Sequence, residues 1–410
     1  MITRSERIPN PIRFPYGHAT RSVYACRVAT HKEANMFNGT QLLFGLRSRL
    51  VLVAAGVLAM TSQVAADPPA KIGRAQPSVA TYATGLTSPR GLTFGPDGNL
   101  YVAEAGTGGP MTATGGPDCP VHFNIYSPFA AGFSGRVTRV LADGTQQTVA
   151  DNLPSTSDAT GANFGPTDVA FVGSTLYVLI EMGGCPHGLP DDLPAILRVH
   201  RDGSTSIVAN LNLWHRENPP HFIKDTDPET TDQEPGGVFH SMIAVGKYLY
   251  VVETNRGFLL RVDPSSGLIE KLYDLTIDNQ EHNPIVMTRR GNKFFVGTFG
   301  EDGGPSELAV FDKDFERYRL PFQTLNPIVG LAWHGALLYG VEIFPLDNPW
   351  MPDSANLVTF DPRTGARREV LTGFASFPNG LIKGPDGAFY TSNQGISFEP
   401  GDGSVLRIVP

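Results

Sequence analysis

Four glutamates recur in one kind of place. Glu104, Glu181, Glu253 and Glu342 each close a short apolar run, LYVAE, TLYVLIE, YLYVVE and LLYGVE, and Thr298 and Asn393 stand at the same place in two further runs. Glu181 falls one residue out of step with the other three. The runs that precede them begin near Arg90, Thr167 with Asp168, His240 with Ser241, Val329 and Asn379, and His282 lies just before another. Carboxylate and amide oxygens brought into one ring are the hard donors that Ca²⁺ takes. His240 and His282 could act there as base or ligand, and Arg90 is the main cation. The same glutamates could instead be held by neighbouring backbone, so the chemistry depends on what positions them.

The positioning elements are repeats. A short apolar strand, a Gly or Asp-Gly turn and a second strand ending in Tyr or Phe recur six times, opening at Pro89, Pro166, near Val238, and at Pro284, Pro327 and Pro378. Third strands follow as GRVTRVLADG, AILRVHRDG and FLLRVDPSSG, and fourth strands as TVADNL, SIVANL and EKLYDL. Alternating apolar residues with Gly, Asp and Asn turns indicate half-buried antiparallel strands, and helical signals are nearly absent. A four-stranded meander cannot bury both faces alone, so it needs neighbours. The stretch Ser78 to Leu86, SVATYATGL, resembles a fourth strand without its first three, while the last copy stops at Pro410 without its fourth. The expectation is an all-β, six-bladed β-propeller over residues 78–410, closed by an N-terminal strand that completes the last blade and removes exposed sheet edges.

In a propeller, the connection into each first strand and the connection out of each second strand lie on one face. The long connections gather there: Gly106 to Ser134, Met182 to Pro194, Gly300 to Pro305, Phe344 to Ala355 and Gln394 to Gly403. The irregular stretch Asn212 to Gly237 between two blades exceeds the usual loop length, as functional or disordered segments do. This face is the candidate site, with Arg90, Glu104, Asp168, Glu181, His240, Glu253, His282, Glu342, Asn379 and Asn393 around the mouth of the central channel.

Cys119 and Cys185 head similar phrases, Cys-Pro-Val-His122 and Cys-Pro-His187, in adjacent blades. A disulfide between them would close about 67 residues and contribute on the order of 4 kcal/mol in the chain-entropy picture. Two Cys and two His also suit a Zn²⁺ or Cu site. An oxidising compartment favours the disulfide.

Such a compartment is expected from the leader. Arg47 and Arg49, the apolar run Leu50 to Met60 and the sequence Gln63-Val64-Ala65-Ala66 follow the order of a secretory signal peptide, with cleavage after Ala66 and Met36 as the true start. Residues 1–66 are thus read as leader and 67–77 as linker, and the protein as secreted or periplasmic, with no membrane anchor after cleavage. The leader holds 8 of the 32 Lys and Arg and 2 of the 40 Asp and Glu, leaving 24 cationic against 38 acidic side chains, a balance of −14. That field repels nucleic acid and anionic lipid and suits small neutral or cationic ligands. A monomer with a small-molecule or protein partner is expected. No nucleophile-elbow serine and no phosphate-cradling glycine loop is present.

The phrases LTSPRGLTFGPDGNLYVAEAG, FGPTDVAF, YVVETNRGFLLRVDPSSG and FPNGLIKGPDG resemble the secreted ScyD/ScyE family of NHL-type six-bladed propellers, over Ser78 to Pro410. The resemblance implies an exported propeller of unassigned biochemical role and brings no established catalytic residues. A more distant similarity is to gluconolactonase and regucalcin-like propellers. There, Asn379 in FPNGL and Asp168 in GPTDV fall at places comparable to metal-binding residues, whereas Arg90 stands where that family has its metal-binding Glu. Two functions follow as expectations. One is a binding protein using its long-loop face; the other is a metal-dependent, Ca²⁺-type lactonase or hydrolase in which the ion activates water or polarises a carbonyl.

Overall fold

The computed structural model describes residues 76–112, 128–224, 234, 236–300, 306–319, 325–345, 351–396 and 399–410. The 1–66 leader and most of the 67–77 linker lie outside these. Among the described residues, strands assemble into six antiparallel sheets in the order of a β-propeller. From the axis outward, blade 1 holds Pro89–Phe94, Leu100–Glu104, Ala130–Val140 and Gln146–Ser157. Blade 2 holds Pro166–Val172, Thr175–Ile180, Ala195–Val199 and Thr205–Asn210. Blade 3 holds Phe239–Val245, Tyr248–Glu253, Phe258–Asp263 and Leu268–Asp274. Blade 4 holds Pro284–Arg290, Lys293–Thr298, Leu308–Phe311 and Arg317–Arg319. Blade 5 holds Ile328–His334, Leu337–Glu342, Asn356–Phe360 and Arg367–Leu371.

Blade 6 carries the closure. Its inner three strands, Ile382–Lys383, Phe389–Asn393 and Gly403–Val409, come from the end of the chain, and its outermost strand is Ser78–Leu86. The ladder runs from Ser78 opposite Val409 to Leu86 opposite Gly403. Both termini of the ring are therefore tied to each other by backbone hydrogen bonds, and no blade is left with an incomplete edge.

Strand alternation builds a core between every pair of blades. In the second strand of blade 2, Leu176, Val178 and Ile180 pack with Tyr101, Ala103 and Val137 of blade 1, while Tyr177 and Leu179 pack with Leu249, Val251 and Leu260 of blade 3. Tyr250 and Val252 then turn the other way, onto Phe294 and Val296 of blade 4. Leu86 of the closing strand is fully buried with Leu92, Val102 and Val405.

Two expectations need correction. The stretch Gly106 to Ser134 is not all loop: the third strand of blade 1 starts at Ala130, pairing with Met111–Thr112 on one side and with the outermost strand on the other. Glycines permit this close pairing, since a Cβ on Gly108 would strike the Ala130 carbonyl. The long stretch from Asn212 opens with a helix, Leu211–Glu217, whose N-cap Asn210 accepts a hydrogen bond from the Leu213 N–H at 2.8 Å. Among the described residues, no helix is long and apolar enough to cross a membrane.

If the N-terminal strand is the closure, Leu86→Ala should destabilise the fold by about 2–5 kcal/mol, the usual range for a fully buried leucine. Val79→Ala, on the exposed side of the same strand, should stay within about 0.5 kcal/mol. Chemical denaturation of both variants decides it, and an equally silent Leu86→Ala would contradict ring closure.

Candidate functional site

The innermost strand of each blade begins with an irregularity that sets the site. In blades 1 to 5 its pairing with the second strand shifts register directly after the first residue, so that one extra residue is inserted. The inserted residues are Arg90, Thr167, His240, Ile285 and Val329, and Asn379 holds the corresponding place in the Pro-Asn-Gly phrase of blade 6. A bulge re-aims its side chain out of the alternating pattern. Here Arg90, His240, Ile285, Val329 and Asn379 all line one small cavity, of about 70 Å³, on the long-loop face. The Thr167 hydroxyl donates to the His240 carbonyl at 3.2 Å, joining the sixth position to this ring.

A second ring lies beside the first. In blades 1 to 5 the residue after the second strand donates its N–H to the residue before the facing innermost strand: Ala105 to Ser88, Glu181 to Gly165, Thr254 to Val238, Phe299 to Asn283 and Ile343 to Pro327; in blade 6 Gly395, two residues past the second strand, donates to Phe377. Glu181 is thus the single carboxylate at this level, and its one-residue offset in the sequence is a real difference of position. Phe299 and Ile343 come from the same level and form the apolar wall of the cavity, with Phe377 and Ile396.

The other three glutamates stand one residue earlier, and a one-residue step on a strand turns a side chain to the other face. Glu104, Glu253 and Glu342 are fully buried, but within their own blades. Glu104 accepts from the Thr87 N–H at 2.6 Å, from Arg136 Nε and Nη2 at 2.8 and 2.7 Å, and from the Thr138 hydroxyl. Glu342 accepts from Arg367 Nε and Nη2 at 2.9 and 2.6 Å and from Asn326 at 2.8 Å. Glu253 accepts from the N–H groups of Val238, Asn255 and Arg256, and lies 3.3 Å from His215 Nε2. The ring of four carboxylates expected at the channel mouth is therefore not formed. Three of them hold loops to blades.

His282 and Asn393 are also engaged away from the cavity. His282 sits between Asp278, at 2.9 Å from Nε2, and Glu307, at 3.3 Å from Nδ1. Asn393 accepts from the Ser376 N–H and donates to the Ser404 hydroxyl, within blade 6. His187 meets the Gly183 carbonyl through Nδ1 at 2.6 Å and faces Glu234 through Nε2 at 3.1 Å. Cys119 and His122 lie outside the described residues, and with them both the disulfide and the Cys/His metal arrangement.

Arg90, His240 and Asn379 share the small cavity, and Glu181 stands against Arg90 and His240. Arg90 is 3% exposed, lies over the Phe164 ring, donates to the Asn163 carbonyl at 2.5 Å and stands 3.4 Å from Glu181 Oε2. His240 Nε2 lies 3.7 Å from Glu181 Oε1. Among the described residues, Arg90 Nε and Glu181 Oε2 have no hydrogen-bond partner. Burial pushes the Glu181 carboxyl up, against the pull of Arg90. Burial and then the Arg90 charge push the His240 imidazole down to about 3. The imidazole is thus neutral at physiological pH.

Asp168 lies one residue deeper, on the wall of the central channel, a cavity of about 450 Å³ bounded by the innermost strands. Its two oxygens accept from the N–H groups of Val169 and Met242, at 2.8 and 2.7 Å. Only glycine fits beside it, since a Cβ on Gly91 would collide with the carboxylate. Burial raises its pKa to about 7, the hydrogen bonds to Met242, Val169 and Ser241 opposing this only in part.

This donor set does not fit a dication. Arg90 stands within it, the Asp168 oxygens are aimed at separate backbone amides, and among the described residues no three His, Cys, Asp or Glu side chains converge as ligands.

No family model and no curated protein matches the chain. Solved structures match in fold. A protein assigned as an oxidoreductase (glucose dehydrogenase) from Thermus thermophilus aligns with a TM-score of 0.50 at 17% identity, over 81% of this chain and 100% of that one. A structural-genomics protein of unknown function from Bacteroides thetaiotaomicron aligns with a TM-score of 0.50 at 10% identity, over 81% and 76%. A gluconolactonase from Xanthomonas campestris aligns with a TM-score of 0.47 at 10% identity, over 80% and 88%. At these identities the likeness concerns the propeller fold.

Asp168 makes a signed prediction. A carboxyl whose folded value is raised contributes stability that is complete below its unfolded value near 3.9 and is lost as pH rises through about 7. Asp168→Asn does not titrate. The melting temperature of this variant minus that of the wild type should therefore climb between pH 4 and pH 7, whatever its constant offset. Parallel curves across that range would show that Asp168 is not desolvated.

Proposed function

We propose that this protein is a secreted propeller of the ScyD/ScyE kind that binds a small molecule on its long-loop face, without catalysis. The observation that supports this most is the division of the axial ring. Arg90, His240 and Asn379 offer polar groups from blades 1, 3 and 6, whereas Ile285 and Val329, backed by Phe299 and Ile343, offer an apolar wall from blades 4 and 5. A site of this kind selects a neutral molecule with an oxygen acceptor on an apolar body. The Arg90 guanidinium, with an unpartnered Nε, supplies the donor. The cavity of about 70 Å³ admits only the polar end of such a molecule, so the remainder lies beneath the long loops.

The same reading takes the chain as a monomer exported through its leader, with Cys119 and Cys185 joined across two top-face loops. Its acidic balance keeps nucleic acid away. The lactonase reading has less support, because Arg90 occupies the place where the similar lactonases carry a metal-binding Glu, and the neighbouring groups do not form a cation cage.

Screening the protein by ligand-observed NMR against neutral lactones, sugars and phenols tests this. Binders should share a carbonyl or hydroxyl on an apolar body, and Arg90→Ala or Asn379→Ala should weaken them roughly tenfold, the size of one lost charge-assisted hydrogen bond. Lys313→Ala, on an exposed turn, should leave them unchanged. Binders indifferent to both ring variants, or lactone turnover abolished by a chelator, would overturn the proposal.

A further inference from the structure

On the face opposite the long loops, between blades 4 and 5, lies an open groove of about 550 Å³. Three cationic side chains border it: Arg290 and Lys293 from the first hairpin of blade 4, and Arg363 from the turn after the third strand of blade 5. Trp333 forms part of its wall. The Arg290 guanidinium lies over the indole, 4.5 Å from the ring centroid, and the indole packs edge-on against Phe295 at 4.9 Å.

Arg290 and Lys293 are directly opposed across the hairpin ladder, which brings two cations side by side at the groove. Arg363, the third cation, reaches Asp361 only at 3.6 Å and is itself largely exposed. On a chain with 40 Asp and Glu against 32 Lys and Arg, three cations bordering one groove are a local reversal of sign. A guanidinium stacked on an aromatic face keeps its N–H edge directed outward, the geometry that grips a carboxylate or phosphate through two parallel bonds.

We propose that this groove binds a multivalent oxyanion, with Arg290 held by Trp333 as the oriented donor and Lys293 and Arg363 as flanking charges. The site is separate from the axial ring, so the two stand or fall independently. Carboxylate and phosphate share this chemistry, and the probes separate them.

Isothermal titration calorimetry with citrate and with inorganic triphosphate is the test. At least one should bind, more weakly as salt is raised. Arg290→Ala and Arg363→Ala should each lower affinity about tenfold, and Arg290→Ala/Lys293→Ala/Arg363→Ala should abolish binding. Lys247→Ala, on the equivalent exposed hairpin of blade 3, should bind as the wild type. Citrate alone would assign a carboxylate ligand and triphosphate alone a phosphate ligand. No binding of either probe, or equal weakening by Lys247→Ala, would overturn the proposal.

Discussion

A closed ring of six sheets leaves the inner edge of every innermost strand facing the axis, and whatever reaches that axis must do so from a backbone that would otherwise point its side chains into the cores between blades. The inserted residue at the start of the innermost strands resolves this. It lets Arg90, His240, Ile285 and Val329 leave the alternation without disturbing Leu92, Met242, Met287 and Leu331, which stay in or beside the inter-blade cores. The polar side of the site, Arg90 and His240, is thus set apart from the cores, whereas Ile285, Val329 and Ile343 serve both the cavity wall and the core around blades 4 and 5.

The buried carboxylates divide in the same way. Glu104, Glu253 and Glu342 accept several hydrogen bonds each and fasten the chain before the innermost strand to the rest of its blade. Removing one partner of such a buried arrangement typically costs about 3–5 kcal/mol, because the other is left unpaired. Glu181, one residue farther along, escapes this role and meets Arg90 and His240 instead. There the groups are under-satisfied: an Arg90 nitrogen and a Glu181 oxygen lack partners in a nearly closed space. Each of the three structural glutamates accepts several hydrogen bonds, and the axial one does not.

Much of this architecture is legible in the sequence. Period-two apolar runs with Gly and Asp turns show the meanders, and the stray SVATYATGL strand shows the closure, because strand patterning is local. The axial residues Arg90, His240 and Asn379 are legible as well, since each repeat marks the start of its innermost strand. The role of the glutamates is not. The one-residue offset of Glu181 is visible along the chain, but the partners that hold the other three, Arg136, Arg367 and His215, come from strands and a helix 25 to 38 residues away. The apolar half of the site, from Phe299, Ile343, Phe377 and Ile396, looks in sequence like ordinary strand-end hydrophobics. Only the ring of backbone hydrogen bonds shows that Phe299, Ile343 and Phe377 belong to one layer.

Three blades deliver Arg90, Glu181 and His240 into a single desolvated constellation. An NMR titration of the His240 imidazole reads this directly. The ring should stay neutral down to about pH 3 in the wild type and titrate at higher pH in Arg90→Ala, where the repelling charge is gone. An imidazole titrating near its ordinary value of about 6.5, with no response to Arg90→Ala, would contradict it.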